Sequence, residues 1–370
     1  MAIKQGDKDY LEAHSKAKLE FLKKYLDRYL KILMLDKYTD EINTFDLFCG
    51  IGIYKKDNSK GSPVIIADLL KSNHEKFNRN TELNLYINDK DKSKIDFVSK
   101  YIERNYDEFK FYSSSLDAKE IIKKINDNVK FSSKKNFIFI DPHGYKDVYK
   151  QDISNLMNIG KTEILIFLPV YNMYRFLKPT KEDKLNPSYK SIRRIMDEFK
   201  LHYDVKNIEE YIDCITNAFT FEDKFYATSF KLKKDKSGNI YALFFITKHI
   251  KGLEKAVEVK WEIDEECGVG YKKKEPNLFE EEFSQNNSFD CMNNLENKLI
   301  KFLSDFRTNK EIYEFVLKNG FLPKHVNLIL KKSQNSNLLE FDRKIRKNSF
   351  YISYKYYKNN EIKYKVKKND

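Results

Sequence analysis

The seven residues Asp46-Leu47-Phe48-Cys49-Gly50-Ile51-Gly52 decide the fold. They close the run NTFDLFCG, in which an apolar strand feeds straight into a glycine turn. Glycine there lets the backbone approach a ligand with no Cβ in the way. In open α/β sheets such a turn sits at the carboxyl end of the first strand. Position 55 is Lys, so the third glycine of a GxGxxG dinucleotide fingerprint is missing. The plain alternative is an ordinary tight turn.

Upstream, Leu11, Lys18, Leu22, Tyr25, Leu30 and Leu33 form a helical stripe from about Tyr10 to Leu35. Downstream, Ser62-Pro63 opens a helix, with Ser as cap and Pro in the first turn. LNLYIND is a second strand, followed by a helix through about Tyr106, and FKFYSSS a third strand followed by LDAKEIIKKI as a helix. NFIFIDP and TEILIFLPV are apolar on both faces, as buried parallel strands are. The segment from Pro187 to Phe221 reads as helical and interrupts the alternation. FYATSFKL and NIYALFFITKH flank a Gly238-Asn239 turn as a hairpin, and a helix from about Leu253 to Trp261 follows. The expected architecture is α/β and Rossmann-like: a mostly parallel seven-stranded sheet ending in an antiparallel hairpin, which by analogy resembles the class I methyltransferase arrangement.

Residues 273–292 are polar and acidic and read as a linker. Beyond them LENKLIKFLSDF is an amphipathic helix. Thr308 and Glu311 form a capping box for a second helix ending at Gly320, and Pro323 opens a third. NLLEFDR and SFYISYK read as two strands around a basic turn, which together with the helices describes a winged helix. The expected domains are thus a helical extension over 1–40, a catalytic-type domain over 41–272 with a helical insertion at about 180–221, the linker at 273–292, and a basic winged helix over 293–370.

Of the 370 residues, 41% are hydrophobic and 15% aromatic, enough for a packed core. No run of about 18 uncharged apolar residues suggests a membrane span. The start MAIKQGDKDYLEAHSK has no apolar leader region, so a cytoplasmic location is expected. Cys49, Cys214, Cys267 and Cys291 show no metal or CxxC spacing and read as reduced thiols; no metal site is expected. Residues 293–370 hold 18 Lys and Arg against 8 Asp and Glu, so most of the net charge of +13 lies there. A basic module points to a polyanion such as DNA or RNA. A lysine-rich chain with solvated lysine faces is the alternative.

The pattern D-x-F-x-G-x-G, filled by Asp46, Phe48, Gly50 and Gly52, is characteristic of S-adenosylmethionine (SAM) sites. Asp89 ends its strand where a carboxylate can accept both ribose hydroxyls, with Asp91 as a competitor and a solvated acidic turn as the bland reading. Asp117 either receives an adenine amine or caps the next helix. Asp141-Pro142-His143-Gly144-Tyr145 places a carboxylate at the sheet edge. Asp141 and the Pro142 carbonyl would accept hydrogen bonds from an acceptor amine, and Tyr145 would stack on a base. His143 either acts on the substrate or is structural. In the basic module, Lys324, His325, Asn327, Lys331 and Lys332 on the third helix and Arg343, Lys344, Arg346 and Lys347 in the wing would meet nucleic acid. Protein docking is the other use of such a module.

The segments HSKAKLEFLKKYL, DLFCGIGIY with GSP, LYINDKD, IFIDPHGYK, LIFLPVYNMYRF, YALFFITKHIKG and NKEIYEFVLKNGFLPKHVNLILKK with FYISYK occur in that order. Their succession resembles the three-Cys-motif partner protein family over nearly the whole chain. The resemblance implies a SAM-dependent methyltransferase paired with a cysteine-motif protein, and carries no substrate. It places Asp46, Gly50, Gly52, Asp89, Asp141 and Pro142 at cofactor and active-site positions. His14, Lys18, Tyr54, Arg175 and His249 fall in matching segments without a role. The expected activity is methyl transfer from SAM to nucleic acid, at an exocyclic base amine. A protein acceptor, or a degenerate fold that only tethers a partner to DNA, stays open.

Overall fold

The computed structural model describes residues 11–77, 79–128, 131, 133–142, 144–233, 239–271, 280–358 and 361–367. They fall in two compact units. The first runs through His249 and takes in Tyr271; the second holds Ile250–Gly270 and the chain after residue 273.

The first unit alternates helix and strand in the order α1 (Ala13–Leu35), β1 (Glu41–Asp46), α2 (Ser62–Phe77), β2 (Glu82–Asn88), α3 (Lys92–Asn105), β3 (Lys110–Ser114), α4 (Ala118–Asp127), β4 (Lys135–Ile140), α5 (Lys150–Asn158) and β5 (Lys161–Leu168). Four insertion helices follow, α6 (Val170–Arg175), α7 (Leu177–Glu182), α8 (Lys190–Phe199) and α9 (Ile208–Ala218), then β6 (Tyr226–Lys233) and β7 (Ile240–Thr247). The sheet order is β3-β2-β1-β4-β5-β7-β6, with β1 to β5 parallel and β7 antiparallel to both its neighbours. The two residues Gly270–Tyr271 add a short β8 beyond β6, so the sheet has eight strands rather than the seven expected. Of the hairpin turn, Gly238 lies outside the described residues.

Strand alternation sends alternate residues to opposite faces. Phe45, Ile138, Ile164 and Phe244 point into a core shared with α4, α5 and the insertion helices. Phe137, Phe230 and Phe245 point the other way, where Phe21 and Tyr25 of α1 cover them at ring separations of 4.4–6.0 Å. Tyr25 also donates to buried Glu163 of β5 at 2.6 Å, and Thr247 of β7 donates to the other Glu163 oxygen at 2.7 Å. The helix ahead of β1 is therefore pinned to the sheet by both apolar and polar contacts.

A row of amides crosses the strands near their amino ends. Asn43 pairs in register with Asn84 and Asn136, and Asn136 with Thr162. Asn84 donates to Asn43, Asn43 to Asn136, and Asn136 to the Thr162 hydroxyl, at 3.1, 3.1 and 3.3 Å. Buried polar groups must find partners. A one-residue slip would strand all of them, so the row fixes the register of the parallel strands.

The second unit contains α10 (Ile250–Ile263), α11 (Glu280–Phe302), β9 (Arg307–Thr308), α12 (Asn309–Lys318), α13 (Pro323–Asn335), β10 (Leu339–Phe341) and β11 (Lys363–Val366). Its three-stranded antiparallel sheet runs β10-β11-β9. The capping box of Thr308 and Glu311 is present, and Gly320 adopts φ +79° just past α12.

Several expectations need correction in this unit. Residues 280–292 are helical and continuous with 293–302 as α11, not linker. The helix after the hairpin, α10, belongs here: the Trp261 indole donates to the Gly320 carbonyl at 2.9 Å and packs on His325 at 4.1 Å. The strand that pairs with β10 is Lys363–Val366, not SFYISYK, where the second strand was expected. Tyr351 sits at φ +52°, which breaks an extended run, and the segment is held by side chains instead. Tyr364 donates to the Phe350 carbonyl, and Asn309 to that of Tyr351 at 3.2 Å. Finally, Cys267 and Cys291 form a disulfide with Cα atoms 6.0 Å apart, where reduced thiols were expected; folding brings them together across 24 residues with no spacing motif to announce it. Cys49 and Cys214 are free.

Candidate functional site

The site forms where the strand order reverses, with β1 flanked by β2 on one side and β4 on the other. Crevices outside the carboxyl ends of strands at such a switch point are where open α/β sheets bind ligands. Past Asp46 the chain splits its bonds between the two neighbours: Leu47 N–H donates to the Phe139 carbonyl of β4 at 3.1 Å, and Cys49 N–H to that of Asn88 of β2 at 2.9 Å.

Gly50 and Gly52 then take φ of +62° and +70°, a region costly for side-chain residues. The two glycines serve different ends. A Cβ on Gly52 would strike Val98 at 2.8 Å, so Gly52 is set by packing; a Cβ on Gly50 would meet nothing within 4 Å. Gly50 thus borders open space. The long loop after Gly52 folds back on itself: Gly61 N–H donates to the Gly52 carbonyl at 2.6 Å, and Ile53 bridges to Lys60. A Cβ on Gly61 would sit 3.1 Å from that carbonyl oxygen.

Asp46 is fully buried, and neither carboxylate oxygen makes a hydrogen bond of good geometry among the described residues, although the Ser62 hydroxyl and the Phe48 N–H come close enough to stabilise its charge. Burial pushes its carboxyl up to about 7; hydrogen bonding from Ser62 opposes the rise, the charge of Asp141 adds to it, and the Phe48 N–H and the Lys18 ammonium temper it. Asp89 is buried and braced: it accepts from Gly50 N–H at 3.0 Å and from Asp91 N–H at 2.8 Å. It fixes the glycine turn directly. Asp91 caps α3 through Ser93 N–H. Asp117 is exposed and engaged in a reciprocal capping box with Glu120 at the start of α4, so its carboxylate already serves the helix. Phe48 is half-buried against the core.

Asp141 follows β4. Its Oδ2 accepts from the Lys18 ammonium, which comes from α1 and also lies over the Phe167 ring at 4.6 Å. No described residue hydrogen-bonds Oδ1. The His14 ring stacks on Tyr241 at 4.7 Å, and Tyr241 on Phe167 at 5.1 Å, so a row of parallel rings walls this side. Pro142 is buried and Tyr145 half-buried; His143 lies outside the described residues.

Three residues to which the sequence assigned no role organise the site. Lys18 is the first, and its signal was a lysine within an apolar helical stripe. Asn88 is the second: it donates to the Leu47 and Leu116 carbonyls and accepts from Leu116 N–H and the Ser114 hydroxyl, which ties the ends of β1, β2 and β3 together. Arg194 of α8 is the third. Its guanidinium donates to the Val148 and Lys146 carbonyls at 2.9 Å each and stacks 3.7 Å from the Tyr149 ring. Glu198, one turn on, accepts from Lys150 N–H at 3.1 Å. The insertion thereby holds the loop that follows Pro142. Nothing local to Arg194 or Asn88 in sequence would have revealed this.

A separate cavity of about 180 Å³ lies beneath α4, walled by Phe45, Tyr86, Tyr112 and Ile125; neither Asp46 nor Asp141 lines it. Among the described residues, no group of His, Cys, Asp and Glu is placed to hold a metal ion, and no helix is long and apolar enough to cross a membrane.

In the second unit, Lys324, Lys331 and Lys332 are exposed on α13, and Arg343, Lys344, Arg346 and Lys347 are exposed after β10. His325 is not on that face. It is buried, its Nδ1 accepts from Leu322 N–H at 3.1 Å, and burial lowers its pKa to about 4. It is a neutral cap for α13 rather than a nucleic-acid contact. Asn327 is half-buried, and its Oδ1 is buried without a hydrogen-bond partner.

No family model matches the chain. No curated protein matches it. Among solved structures it is similar to an O-methyltransferase from Bacillus cereus in complex with SAH, at 17% identity over 64% of this chain and 84% of that one, with a TM-score of 0.36. It is similar to the O-methyltransferase TomG from Streptomyces achromogenes in complex with SAM, at 13% identity over 66% and 91% of the two chains and a TM-score of 0.31. A third is P. horikoshii TYW2 in complex with MeSAdo, at 12% identity over 60% and 62%, with a TM-score of 0.27. At such low TM-scores these likenesses carry no functional argument, and the reading of the site rests on its own residues.

Proposed function

We propose that the chain is a SAM-dependent methyltransferase acting on nucleic acid, at an exocyclic base amine. The observation that carries this reading is Asp46: a fully buried carboxylate with no ion-pair partner among the described residues, beside a glycine turn that opens onto empty space at Gly50. A buried anion is costly without a counter-charge. SAM brings two cations, its α-ammonium and its sulfonium, and an approach close to backbone that a side chain at position 50 would block. Gly50 and Gly52 shape the cradle, Asp89 braces it and offers its remaining lone pairs to the ribose hydroxyls, and Asp46 compensates the cationic end. These residues fit the group.

When bound, SAM supplies a methyl on a good leaving group, so the chain needs little acid–base apparatus and mainly aligns the acceptor. Asp141 does this. Lys18 holds Oδ2 and orients the carboxylate, which leaves Oδ1 to accept an amine N–H. The Pro142 carbonyl serves as the second acceptor, and Tyr145, on the loop held by Arg194, stacks on the base. We read the second unit as a winged helix that holds the polymer through α13 and the segment between β10 and β11. A cysteine-motif protein as partner rests on the family resemblance alone. Calorimetric titration with SAM, followed by a labelled-methyl assay on DNA, RNA and co-expressed protein, tests the reading; label on protein only would move the substrate to a protein side chain.

A further inference from the structure

The exposed face of α13 carries more than charge. Lys324, Lys331 and Lys332 project from it, and Leu328 stands among them, 58% exposed. At helical spacing Leu328 is one turn after Lys324 and one turn before Lys331 and Lys332. The opposite side of the helix, Val326, Ile329 and Leu330, is buried in the unit. Leu328 is therefore not a core residue that strayed outward.

None of these three lysines has an ion-pair or hydrogen-bond partner among the described residues. Elsewhere many lysines do: Lys71 meets Glu108, Lys110 meets Glu82, Lys134 meets Asp40, and Lys231 meets Glu209. Lys344, Arg346 and Lys347 are also unmatched among the described residues. Their segment is joined to the end of α13, where Gln334 accepts from Asn348 N–H at 3.0 Å. A solvated lysine-rich surface would show scattered carboxylates, and α13 has none. The face is a built cationic surface with one apolar point at its centre.

Resting on the reading of the second unit as a nucleic-acid holder, we infer that α13 enters the major groove of B-form DNA and that Leu328 reads a thymine methyl. The lysines on either side meet phosphates and carry no sequence information. An aliphatic side chain has nothing to offer a phosphate or a base-edge amide. In the major groove the one apolar feature on any base is the C5 methyl of thymine. Double-stranded RNA is excluded as the favoured ligand on two counts: its major groove is too deep and narrow for a helix, and uracil lacks the methyl.

The test uses the full chain and random-sequence DNA duplexes. Binding is selected at moderate salt, and the enriched duplex is then remade with each thymine in turn replaced by deoxyuracil. At one or two positions the replacement weakens binding by about fourfold, the effect of losing one buried methyl. Leu328→Ala, on an exposed site that leaves folding intact, abolishes that difference while retaining duplex binding. The Lys324→Gln, Lys331→Gln, Lys332→Gln triple variant weakens all duplexes and lowers the salt dependence. Duplex binding that is indifferent to every thymine replacement overturns the thymine contact and leaves the polyanion reading standing. Failure to bind any DNA duplex, or tighter binding to duplex RNA or to a protein partner, overturns the inference together with the DNA assignment.

Discussion

Lys18 and Asp141 stand 123 residues apart in the chain, one on the helix ahead of the sheet and the other at the end of its fourth strand, and form a largely buried ion pair. With 10% and 21% of their side chains exposed, this is not a surface pair worth a few tenths of a kcal/mol. It ties α1 to the chain just past β4. Lys18→Met leaves Asp141 without its partner, and we expect a stability loss of about 1–3 kcal/mol, read from urea unfolding. Lys18→Arg restores the charge but not the point-donor geometry, and should regain stability more fully than methyl transfer. Equal recovery of both would mean that Lys18 is only a strut.

Asp46 makes the stability of the ligand-free fold fall as pH rises toward neutrality. Its folded value is about 7, against about 3.9 for the unfolded chain. Below the unfolded value both states are protonated and the group contributes nothing. As pH rises from there to 7, the unfolded chain ionises first and the ligand-free fold loses stability, by up to about 4 kcal/mol in the limit. Other carboxylates shift in the opposite direction, so the measurement is the difference in urea midpoint between wild type and Asp46→Asn. That difference should grow in favour of the variant between pH 4 and pH 7. A flat difference would show that Asp46 is ionised throughout.

The amide row across β4, β1 and β2 should be a stability element with no direct role in the site. Asn43 both donates to Asn136 and accepts from Asn84. Asn43→Leu leaves those two partners with unmet groups in a buried setting, at a cost of about 1–3 kcal/mol for each. Thermal unfolding measures this, and cofactor affinity of the folded fraction should stay unchanged.

Much of this architecture is legible in the sequence for a definite reason. NFIFID and EILIFL are apolar at every position, so they mark buried parallel strands whatever their neighbours are. Thr308 with Glu311 and Asp117 with Glu120 are local capping pairs, three residues apart, and the chain carries their whole signal. What escapes is long-range. The partner of Lys18 lies just past β4, that of Arg194 in a loop, and Cys267 finds Cys291 only once α11 extends back through a stretch that composition marks as linker. SFYISYK alternates like a strand, yet the hydroxyl of Tyr364 and the amide of Asn309 hold it, and neither is visible from within the segment. His325 illustrates the converse: among lysines on a helix it reads as a polyanion contact, while the tertiary fold turns it inward as a cap.

Arg194 gives a prediction that separates positioning from binding. Arg194→Ala frees the loop from Tyr145 to Tyr149 without touching the glycine turn. SAM affinity should be unchanged and the KM for the polymer acceptor should rise, with kcat falling less. Arg194→Lys should rescue poorly, because a point charge cannot reach two carbonyls and stack on Tyr149 at once. An unchanged KM would show that the insertion does not shape the acceptor side.

Reduction of Cys267–Cys291 should destabilise the second unit selectively. For a closure of this length the chain-entropy model gives about 3 kcal/mol. Cys267→Ser should lower the unfolding midpoint of the second unit and leave that of the first in place, followed by the Trp261 fluorescence that reports on the second unit alone.

The central claim is that Asp46 compensates a cationic cofactor above the Gly50 turn, and calorimetric titration of SAM against pH tests it most directly. Wild type should bind SAM with release of a proton near neutral pH, about tenfold more weakly at pH 6 than at its plateau. Asp46→Asn should lose the pH dependence and most of the affinity, and Gly50→Val should lose binding altogether. No heat from wild type at saturating SAM, or an affinity that Gly50→Val leaves intact, would contradict the account.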